Sequence, residues 1–434
     1  MKYYSTNNQA PIADLHKAVV KGLAEDRGLY MPEKINKLPK EFFDNIEKMS
    51  FQEIAYTVAS AFFGEDVDPD ALHDIVYDTL QFDCPVVNVK DNIYTLELFH
   101  GPTLAFKDVG ARFMARLLQY FIKQENNHKE VNVLVATSGD TGSAVANGFL
   151  GVDGIHVYVL YPKGKVSPIQ ECQFTTLGKN ITAIEVDGVF DDCQALVKNA
   201  FMDAELNEHM KLTSANSINV ARFLPQAFYY FNAYARMKEQ GKADNLVMCV
   251  PSGNFGNICA ALFGHEMGLP IKRFIAANNA NDIFYNYLQT GKYEPKPSKQ
   301  TLANAMDVGD PSNFARIYDL YGKSHAKITS LISGATYSDE QIKATMRECY
   351  KDSGYILDPH GACGYQALKD GLQAGEVGVF CETAHPAKFK EKVDDILGID
   401  VEIPERLAAF MRGQKQSVPM TKDFADFKAY LLGR

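Results

Sequence analysis

Two stretches of this sequence place a glycine-rich turn between a short apolar strand and a helix. They are EVNVLVATSGDTGSAVA (130–146) and NLVMCVPSGNFGN (245–257), the second followed by the helical ICAALFGHEMG. Strands and helices alternate from about residue 130 to a last apolar strand that ends at Thr383. This alternation is typical of a parallel sheet covered by helices. Ligands bind such sheets beyond the carboxyl ends of the strands, where we expect both turns to lie.

The sequence predicts an α/β protein in three parts. Residues 1–85 should be mainly helical, because FQEIAYTVASAFFG repeats apolar residues at intervals of three and four, with DRGLYMPEKINKLP (26–39) as a connecting loop. Residues 86–235 should form an α/β domain, whose VNVKDNIYTLELF (87–99) alternates as strands do. Residues 236–434 should form a second α/β domain that includes the C-terminal segment.

Charge and cysteine content narrow the function classes. The 434 residues carry 44 Lys and Arg against 54 Asp and Glu, a net charge of −10, which argues against nucleic acid and anionic membranes as partners. The sequence shows no secretory signal and no apolar run near the roughly 18 residues of a membrane span. The eight cysteines stand singly and without zinc-binding spacing. We therefore predict reduced thiols, no metal site and a cytoplasmic protein.

One lysine stands in unusual surroundings, in HGPTLAFKDVG (100–110). Lys107 follows the apolar Leu104-Ala105-Phe106 and precedes a predicted helix. A lysine at a helix start is ordinarily solvated. In apolar surroundings, however, desolvation lowers the pKa of an amine and frees it as a nucleophile or base. An amine of this kind together with an anion-binding turn suggests pyridoxal phosphate, with an imine at one end and the phosphate at the other.

Both glycine-rich turns are candidate anion sites. In GNFGN, Gly253 and Gly256 permit a tight turn at a helix start, where free N–H groups favour phosphate. An ordinary strand-to-helix turn is the alternative reading. In SGDTG, small polar residues and two glycines could receive a carboxylate or phosphate, although Ser, Thr and Asp also cap helices routinely. The SGDTG residues are Ser138, Gly139, Asp140, Thr141 and Gly142.

Further polar residues follow predicted strands. Thr383 could meet a cofactor at the end of the last strand, whereas His385 close by is more often structural. Lys163 and Lys165 could receive an anionic group, or they could be solvated loop lysines. The SANSIN segment is rich in small polar side chains and precedes an arginine whose planar fork suits phosphate, unless the loop is simply exposed. Its candidates are Ser214, Asn216 and Arg222.

Taken together, the motifs resemble those of the threonine synthase family, in its longer bacterial and fungal form. The matching segments, in order, are HGPTLAFKDVGARFM, ATSGDTGSA, LYPKGKVSPIQ, SANSIN, PSGNFGN, NAMDVGDPSN and TAHPAKF. The resemblance extends from KGLAEDRGLYMP to about residue 400. It implies two helix-covered, mainly parallel sheet domains of the tryptophan synthase β-subunit-like type. Arg27 departs from the pattern, since a small residue is expected there.

The resemblance also implies roles for the candidate residues. Lys107 would carry the Schiff base with pyridoxal phosphate, and Thr383 would face the pyridine nitrogen. The cofactor phosphate would lie on Gly253, Asn254, Phe255, Gly256 and Asn257. The SGDTG turn would hold the substrate carboxylate, and Lys163, Lys165, Ser214, Asn216 and Arg222 are weaker candidates for the substrate phosphate.

The activity implied is conversion of O-phospho-L-homoserine and water to L-threonine and phosphate. Two alternatives stay open at the level of sequence. One is a lyase of the same fold that releases phosphate and 2-oxobutyrate from this substrate. The other is a phosphate-binding or nucleotide-binding regulator without catalysis. The sequence leaves the oligomeric state open between monomer and homodimer.

Overall fold

A computed structural model describes residues 1–127 and 129–434. The N-terminal part is mainly helical, as predicted, and also contains a small antiparallel sheet in the order Ala13–Asp14, Lys2–Ser5, Tyr30–Pro32. The segment predicted as a connecting loop therefore contributes a strand, because buried Tyr30 and Met31 pair with the first strand. The helices of this part are Leu15–Lys21, Lys40–Asn45, Phe51–Phe63 and Pro69–Thr79, with a 3-10 turn at Ile46–Lys48.

A six-stranded sheet forms the first of two larger layers. Its order is Ile332–Thr336, Arg273–Asn278, Leu246–Pro251, Val377–Glu382, Ile93–Glu97 and Val86–Lys90. All neighbours run parallel except the last two strands, which form an antiparallel pair. The central strands are almost continuously apolar and buried, as expected of a sheet covered on both faces.

A five-stranded sheet forms the second layer, and it is parallel throughout. Its order is Val418–Thr421, Ile181–Asp187, Ile155–Pro162, Val131–Ala136 and Lys211–Ser214. The mainly parallel, helix-covered α/β architecture is thus the one predicted.

The two sheets are not drawn from the contiguous ranges 86–235 and 236–434. Strands Val86–Lys90 and Ile93–Glu97 pair in the six-stranded sheet, although they fall in the first predicted range. Strand Val418–Thr421 pairs in the five-stranded sheet, although it falls in the second. The chain therefore enters the six-stranded sheet, builds most of the other, and returns to the first sheet again before its last strand.

Helices cover both sheets and connect their strands. One of them, Lys107–Gln124, begins at the lysine singled out above and packs mainly against Asp140–Phe149 and Val220–Phe223. Those that follow the N-terminal part are Lys107–Gln124, Asp140–Phe149, Pro168–Thr175, Phe190–Met202, Ala204–His209, Val220–Phe223, Ala227–Glu239, Gly256–Glu266, Ile283–Thr290, Phe314–Leu320, His325–Leu331, Asp339–Ser353, Pro359–Gly371, Lys390–Leu397, Glu405–Met411 and Phe424–Leu432, with 3-10 turns at Leu224–Gln226, Asn304–Met306 and Pro386–Phe389.

The largest apolar core joins the N-terminal helices to both sheets, and a second core lies on the other face of the six-stranded sheet. The eight cysteines are free thiols, and seven of them are buried. No helix within residues 1–127 and 129–434 combines the length and apolar character that a membrane crossing requires.

Candidate active site

Ten of the seventeen predicted site residues line one cavity between the two sheets. Thr141 opens into it from the five-stranded side, while Gly253–Asn257 and Thr383 reach it from strand ends of the six-stranded side. Lys107 also lines this cavity. Asn216 and Arg222 also line the cavity, together with residues that were not predicted: Phe106, Ser217, Gln226, Pro251, Ala305, Met306 and His360.

Lys107 is the first residue of its helix, and its side chain is partly buried. The Nζ donates a hydrogen bond to Thr141 Oγ1 at 2.7 Å. Desolvation lowers the pKa of Lys107 to about 8; the carboxylate of Asp140 opposes this shift, and the cations Arg222 and Lys388 add to it. The desolvation expected of this lysine is therefore present, although many polar side chains share the cavity wall, and about a tenth of the amine is free of its proton at pH 7.

A hydrogen-bonded turn fixes the position of Lys107. Buried Asp108 accepts bonds from the Thr103 hydroxyl at 2.6 Å and from the Thr103 N–H at 3.0 Å. The turn passes through Leu104 at φ 60°, a left-handed conformation that is unusual for leucine. The Phe106 N–H then donates to the Thr383 carbonyl at 2.8 Å. This bond joins the lysine turn directly to the end of the central strand Val377–Glu382.

The GNFGN segment forms a tight cradle at the start of the helix Gly256–Glu266. Phe255 occupies a left-handed conformation, φ 67°, immediately before this helix. A Cβ on Gly253 would lie 2.8 Å from the Ala305 carbonyl oxygen, and one on Gly256 would lie 2.9 Å from Ser217 Cβ. Only glycine therefore fits at these two positions without a shift of their neighbours. Strained backbone of this kind is concentrated at ligand sites.

The two asparagines of the cradle differ in their partners. Asn257 is committed to the turn itself, since it donates to the Pro251 carbonyl at 2.8 Å and accepts from the Ser252 hydroxyl at 3.1 Å. The side-chain oxygen of Asn254 is buried and has no hydrogen-bond partner among the described residues. An unpaired buried oxygen is costly unless a ligand completes it. These features, with the Lys107 amine and buried Thr383, fit pyridoxal phosphate.

The SGDTG turn is stiffened by its own hydrogen bonds. The N–H groups of Gly139 and Gly142 both donate to Thr137 Oγ1, at 2.9 and 2.7 Å. Gly139 has φ 145°, and a Cβ there would overlap the Gln170 side chain at 2.6 Å. Ser138 does not line the cavity of Lys107 but a larger neighbouring one, which we call the outer cleft and which Lys165 and Lys388 also line.

Asp140 has a partner that the sequence did not predict. Its Oδ1 lies 2.6 Å from Nζ of Lys388, whose side chain is fully buried, and accepts from Gln170 Nε2 at 3.0 Å. Burial alone would raise the pKa of Asp140, but Lys388 and Lys107 outweigh it and hold the pKa at about 2. Lys388 falls in the motif TAHPAKF, yet nothing in the sequence distinguishes it from Lys390 two residues later.

The SANSIN segment is partly buried, and its arginine lies inside the protein. Arg222 is buried, with Nη1 bonded to the Ala215 carbonyl and Nε without a hydrogen-bond partner within residues 1–127 and 129–434. Desolvation lowers the pKa of Arg222 to about 10, still far above neutrality. Asn216 donates to the Ala136 carbonyl at 3.2 Å, and Ser214 is buried beneath it, accepting its N–H at 3.2 Å. Of the three, Asn216 and Arg222 line the cavity.

The two loop lysines are exposed, whereas the two histidines near the cavity are held by hydrogen bonds. Lys163 and Lys165 are exposed; Lys165 lines the outer cleft, whereas Lys163 is on neither cavity wall. His385 caps a short helix through a 3.0 Å bond from the Ala387 N–H, a structural role, and desolvation lowers its pKa to about 4. His360 was not predicted: it bonds Asp358 at 2.5 Å and accepts from the Ala305 N–H at 3.0 Å, behind the cradle.

Family models match most of the chain. The model described as pyridoxal-phosphate dependent enzyme covers residues 82–381, and those for the threonine synthase N terminus and C terminus cover residues 2–80 and 361–431. The chain belongs to the threonine synthase family. It is accordingly a pyridoxal-phosphate-dependent enzyme, as the resemblance of its motifs implied.

Known threonine synthases align with this chain from end to end. The threonine synthase of Haemophilus influenzae is 44% identical over 432 residues, all of both chains. The crystal structure of threonine synthase from Escherichia coli superposes with a TM-score of 0.94 at 43% identity, over 100% of each chain. The PLP-bound threonine synthase from Brucella melitensis has a TM-score of 0.92 at 34% identity, over 100% of this chain and 99% of that one.

Proposed function

We propose that this protein converts O-phospho-L-homoserine and water to L-threonine and phosphate. The observation that carries the proposal is the single cavity in which the Lys107 amine, the GNFGN cradle and Thr383 meet. Membership of the threonine synthase family adds the substrate and product to this chemistry. The free thiols of this protein and its similarity to threonine synthases support a cytoplasmic location.

Three parts of the cavity hold the cofactor in this proposal. Lys107 supplies the amine, Gly253–Asn257 receive the phosphate, and Thr383 approaches the ring nitrogen. Pyridoxal phosphate, when bound, supplies a ring that stabilises the electron pair left on a substrate carbon after a proton is removed. The uncharged hydroxyl of Thr383, in place of a carboxylate, favours an unprotonated ring nitrogen and so restrains side reactions.

Lys107 carries the protons of the reaction. Its amine has a pKa of about 8, close to the working pH, and Thr141 Oγ1 holds it at 2.7 Å. A base of this strength can take a proton from the substrate α carbon and return it at another carbon, provided it reaches both. Lys107 Nζ then moves protons among the α, β and γ carbons as phosphate departs from the γ carbon and water adds at the β carbon.

Substrate binding falls to residues that follow strands of the five-stranded sheet. The stiff SGDTG turn, at the start of the helix Asp140–Phe149, receives the α-carboxylate. Buried Arg222 and neighbouring Asn216 receive the substrate phosphate, since an arginine fork retains its charge inside the protein. Ser214 supports Asn216 from beneath. Lys165 attracts the anionic substrate at the mouth of the outer cleft, and exposed Lys163 adds to the same local field.

Product identification tests the proposed reaction. The purified protein is incubated with O-phospho-L-homoserine, and amino acids, 2-oxo acids and phosphate are quantified by chromatography. We expect L-threonine and phosphate in equal amounts. Lys107→Ala should abolish turnover, whereas Lys123→Ala, an exposed lysine on the same helix, should retain it. Phosphate with 2-oxobutyrate and no threonine would instead assign the lyase reaction to the same site.

A further inference from the structure

The SGDTG turn presents an electrostatic difficulty for the substrate carboxylate. Asp140 stands in the middle of the turn, is 4% exposed and is ionised at neutral pH, since its pKa is about 2. A second carboxylate entering the same turn would meet a like charge in surroundings with little solvent screening. Two such charges about 6 Å apart, at an effective dielectric constant of about 20, repel strongly enough to weaken binding roughly 100-fold.

Lys388 removes this difficulty by its position. Its Nζ lies 2.6 Å from Asp140 Oδ1 and donates to the Thr103 carbonyl at 2.8 Å. The side chain is completely buried, and a lysine is found in such a place only when its charge is paired. Lys388 comes from the 3-10 turn Pro386–Phe389 that follows the central strand, so the pair also connects the two sheets at the site.

We infer that Lys388 is a positioning residue whose cation neutralises Asp140, so that the SGDTG turn can bind the substrate α-carboxylate. The inference rests on the proposed role of that turn in substrate binding. Lys388 acts through Asp140 and does not itself contact the substrate. Gln170 supports the arrangement, because its amide bonds the same carboxylate oxygen while its side chain packs on Gly139.

The inference requires that charge, and not shape, decides affinity. Lys388→Met leaves Asp140 unpaired, Asp140→Asn leaves Lys388 unpaired, and the double variant leaves neither charge. Each cofactor-loaded protein is titrated with L-2-aminobutyrate and with 1-propylamine, the same amine without the carboxylate, and the change in cofactor absorbance gives the dissociation constant. Circular dichroism and gel filtration check that each variant is folded.

The expected pattern differs among the three variants. At a pH that keeps Asp140 ionised, Lys388→Met should lose about 100-fold in affinity for L-2-aminobutyrate and little for 1-propylamine, and the loss should shrink as the pH falls and unpaired Asp140 takes up a proton. Asp140→Asn should bind the carboxylate at least as tightly as the wild type. The double variant should return to within about threefold of the wild type, because the turn is neutral again. If Lys388→Met fails to fold, the wild type, Asp140→Asn and the double variant still give the comparison.

Two outcomes would overturn the inference. A double variant as weak as Lys388→Met would mean that Lys388 binds the carboxylate itself. A wild type with no preference for L-2-aminobutyrate over 1-propylamine would mean that the turn does not recognise the carboxylate. Neither outcome touches the proposed reaction, because threonine formation by the wild type is measured separately.

Discussion

At the scale of single residues, the environment of Lys107 supports the reactivity that we propose for its amine. The side chain is partly buried at the first turn of a helix, and desolvation lowers its pKa to about 8 from an ordinary value of 10.5. The neutral amine, which is the reactive form, therefore dominates about two and a half pH units lower than in an exposed lysine. A surface lysine at a helix start would keep its proton throughout the neutral range.

This shift predicts how the cofactor-free protein captures pyridoxal phosphate. The capture rate should rise with pH and level off above about pH 8. Protonated Lys107 is unreactive, and it gives way to the neutral amine as the pH rises through the pKa of about 8. Stopped-flow absorbance between pH 6 and 9.5 measures the profile, with Lys123→Ala as a control that should match the wild type. A rate that still rises tenfold per pH unit above pH 8.5 would show an ordinary lysine.

A second residue-scale prediction concerns Thr383. Thr383→Asp should protonate the ring nitrogen and strengthen the electron sink, so that transamination and other side reactions increase relative to threonine formation. The measurement is the ratio of 2-oxo acid to threonine, with Thr383→Ser as the matched control that keeps the hydroxyl. An unchanged ratio in Thr383→Asp would rule out the assigned role for this side chain.

The sequence predicted which residues belong to the candidate site only where a local motif marked them. Lys107 and the glycines of GNFGN stand in recognisable turns, and the structure brings them into one cavity. The Asp140–Lys388 pair and the His360–Ala305 bond join residues that are distant along the chain. Such contacts depend on how distant segments pack together in the folded chain, which no local pattern records.

At the scale of elements, the cofactor cradle depends on backbone packing between a turn and a loop. Gly253 faces the Ala305 carbonyl and Met306 Cα, and both are backbone atoms that cannot rotate away. The loop is held from behind by the His360 bond to the Ala305 N–H. The strand Leu246–Pro251 and the helix Gly256–Glu266 fix the two ends of the turn, so the cradle has little room to adjust.

Gly253→Ala should therefore weaken cofactor binding. The new Cβ would lie 2.8 Å from the Ala305 oxygen, so the turn or the loop must shift. We expect about a 10-fold or larger increase in the dissociation constant of pyridoxal phosphate, equivalent to roughly 1.4 kcal/mol. Gly433→Ala is the control, since its nearest neighbour would be 3.5 Å away. Equal affinities in the two variants would argue against a close-packed cradle.

Element types followed from the sequence more readily than strand order. Apolar runs between turns predicted the parallel strands, because strands buried on both faces are continuously apolar. The pairing of Val418–Thr421 with Ile181–Asp187 was not predictable, since the last strand is short and only half buried. The strand at Tyr30–Pro32 was missed because its pairing partner is the distant N-terminal strand. Exposed Arg27 before it adopts φ 68°, which explains why a small residue was expected.

At the scale of the whole molecule, one buried carboxylate connects two strands of the six-stranded sheet that are far apart along the chain. Glu376 precedes the strand Val377–Glu382 and bonds Arg273, the first residue of another strand, at 2.9 and 2.7 Å. Lys272 lies 3.0 Å from the same carboxylate. The two strands flank Leu246–Pro251, so this ion pair spans the strand that leads to the cofactor cradle.

Glu376 should make stability depend on pH in acid. Its bonds to Arg273 lower its pKa to about 2 from 4.5, against the effect of burial. Its contribution is therefore fully present above pH 4.5 and is lost as the pH falls from 4.5 to 2. The stability difference between wild type and Glu376→Gln should shrink by about 1–3 kcal/mol over this range in urea unfolding. A constant difference would contradict the assignment.

The central claim is that Lys107 holds the cofactor, and borohydride trapping tests it most directly. The cofactor-loaded protein is reduced, digested and analysed by mass spectrometry to locate the modified lysine. We expect modification at Lys107 within HGPTLAFKDVG and at no other lysine. Modification at buried Lys388, or at any other lysine with Lys107 left free, would contradict it.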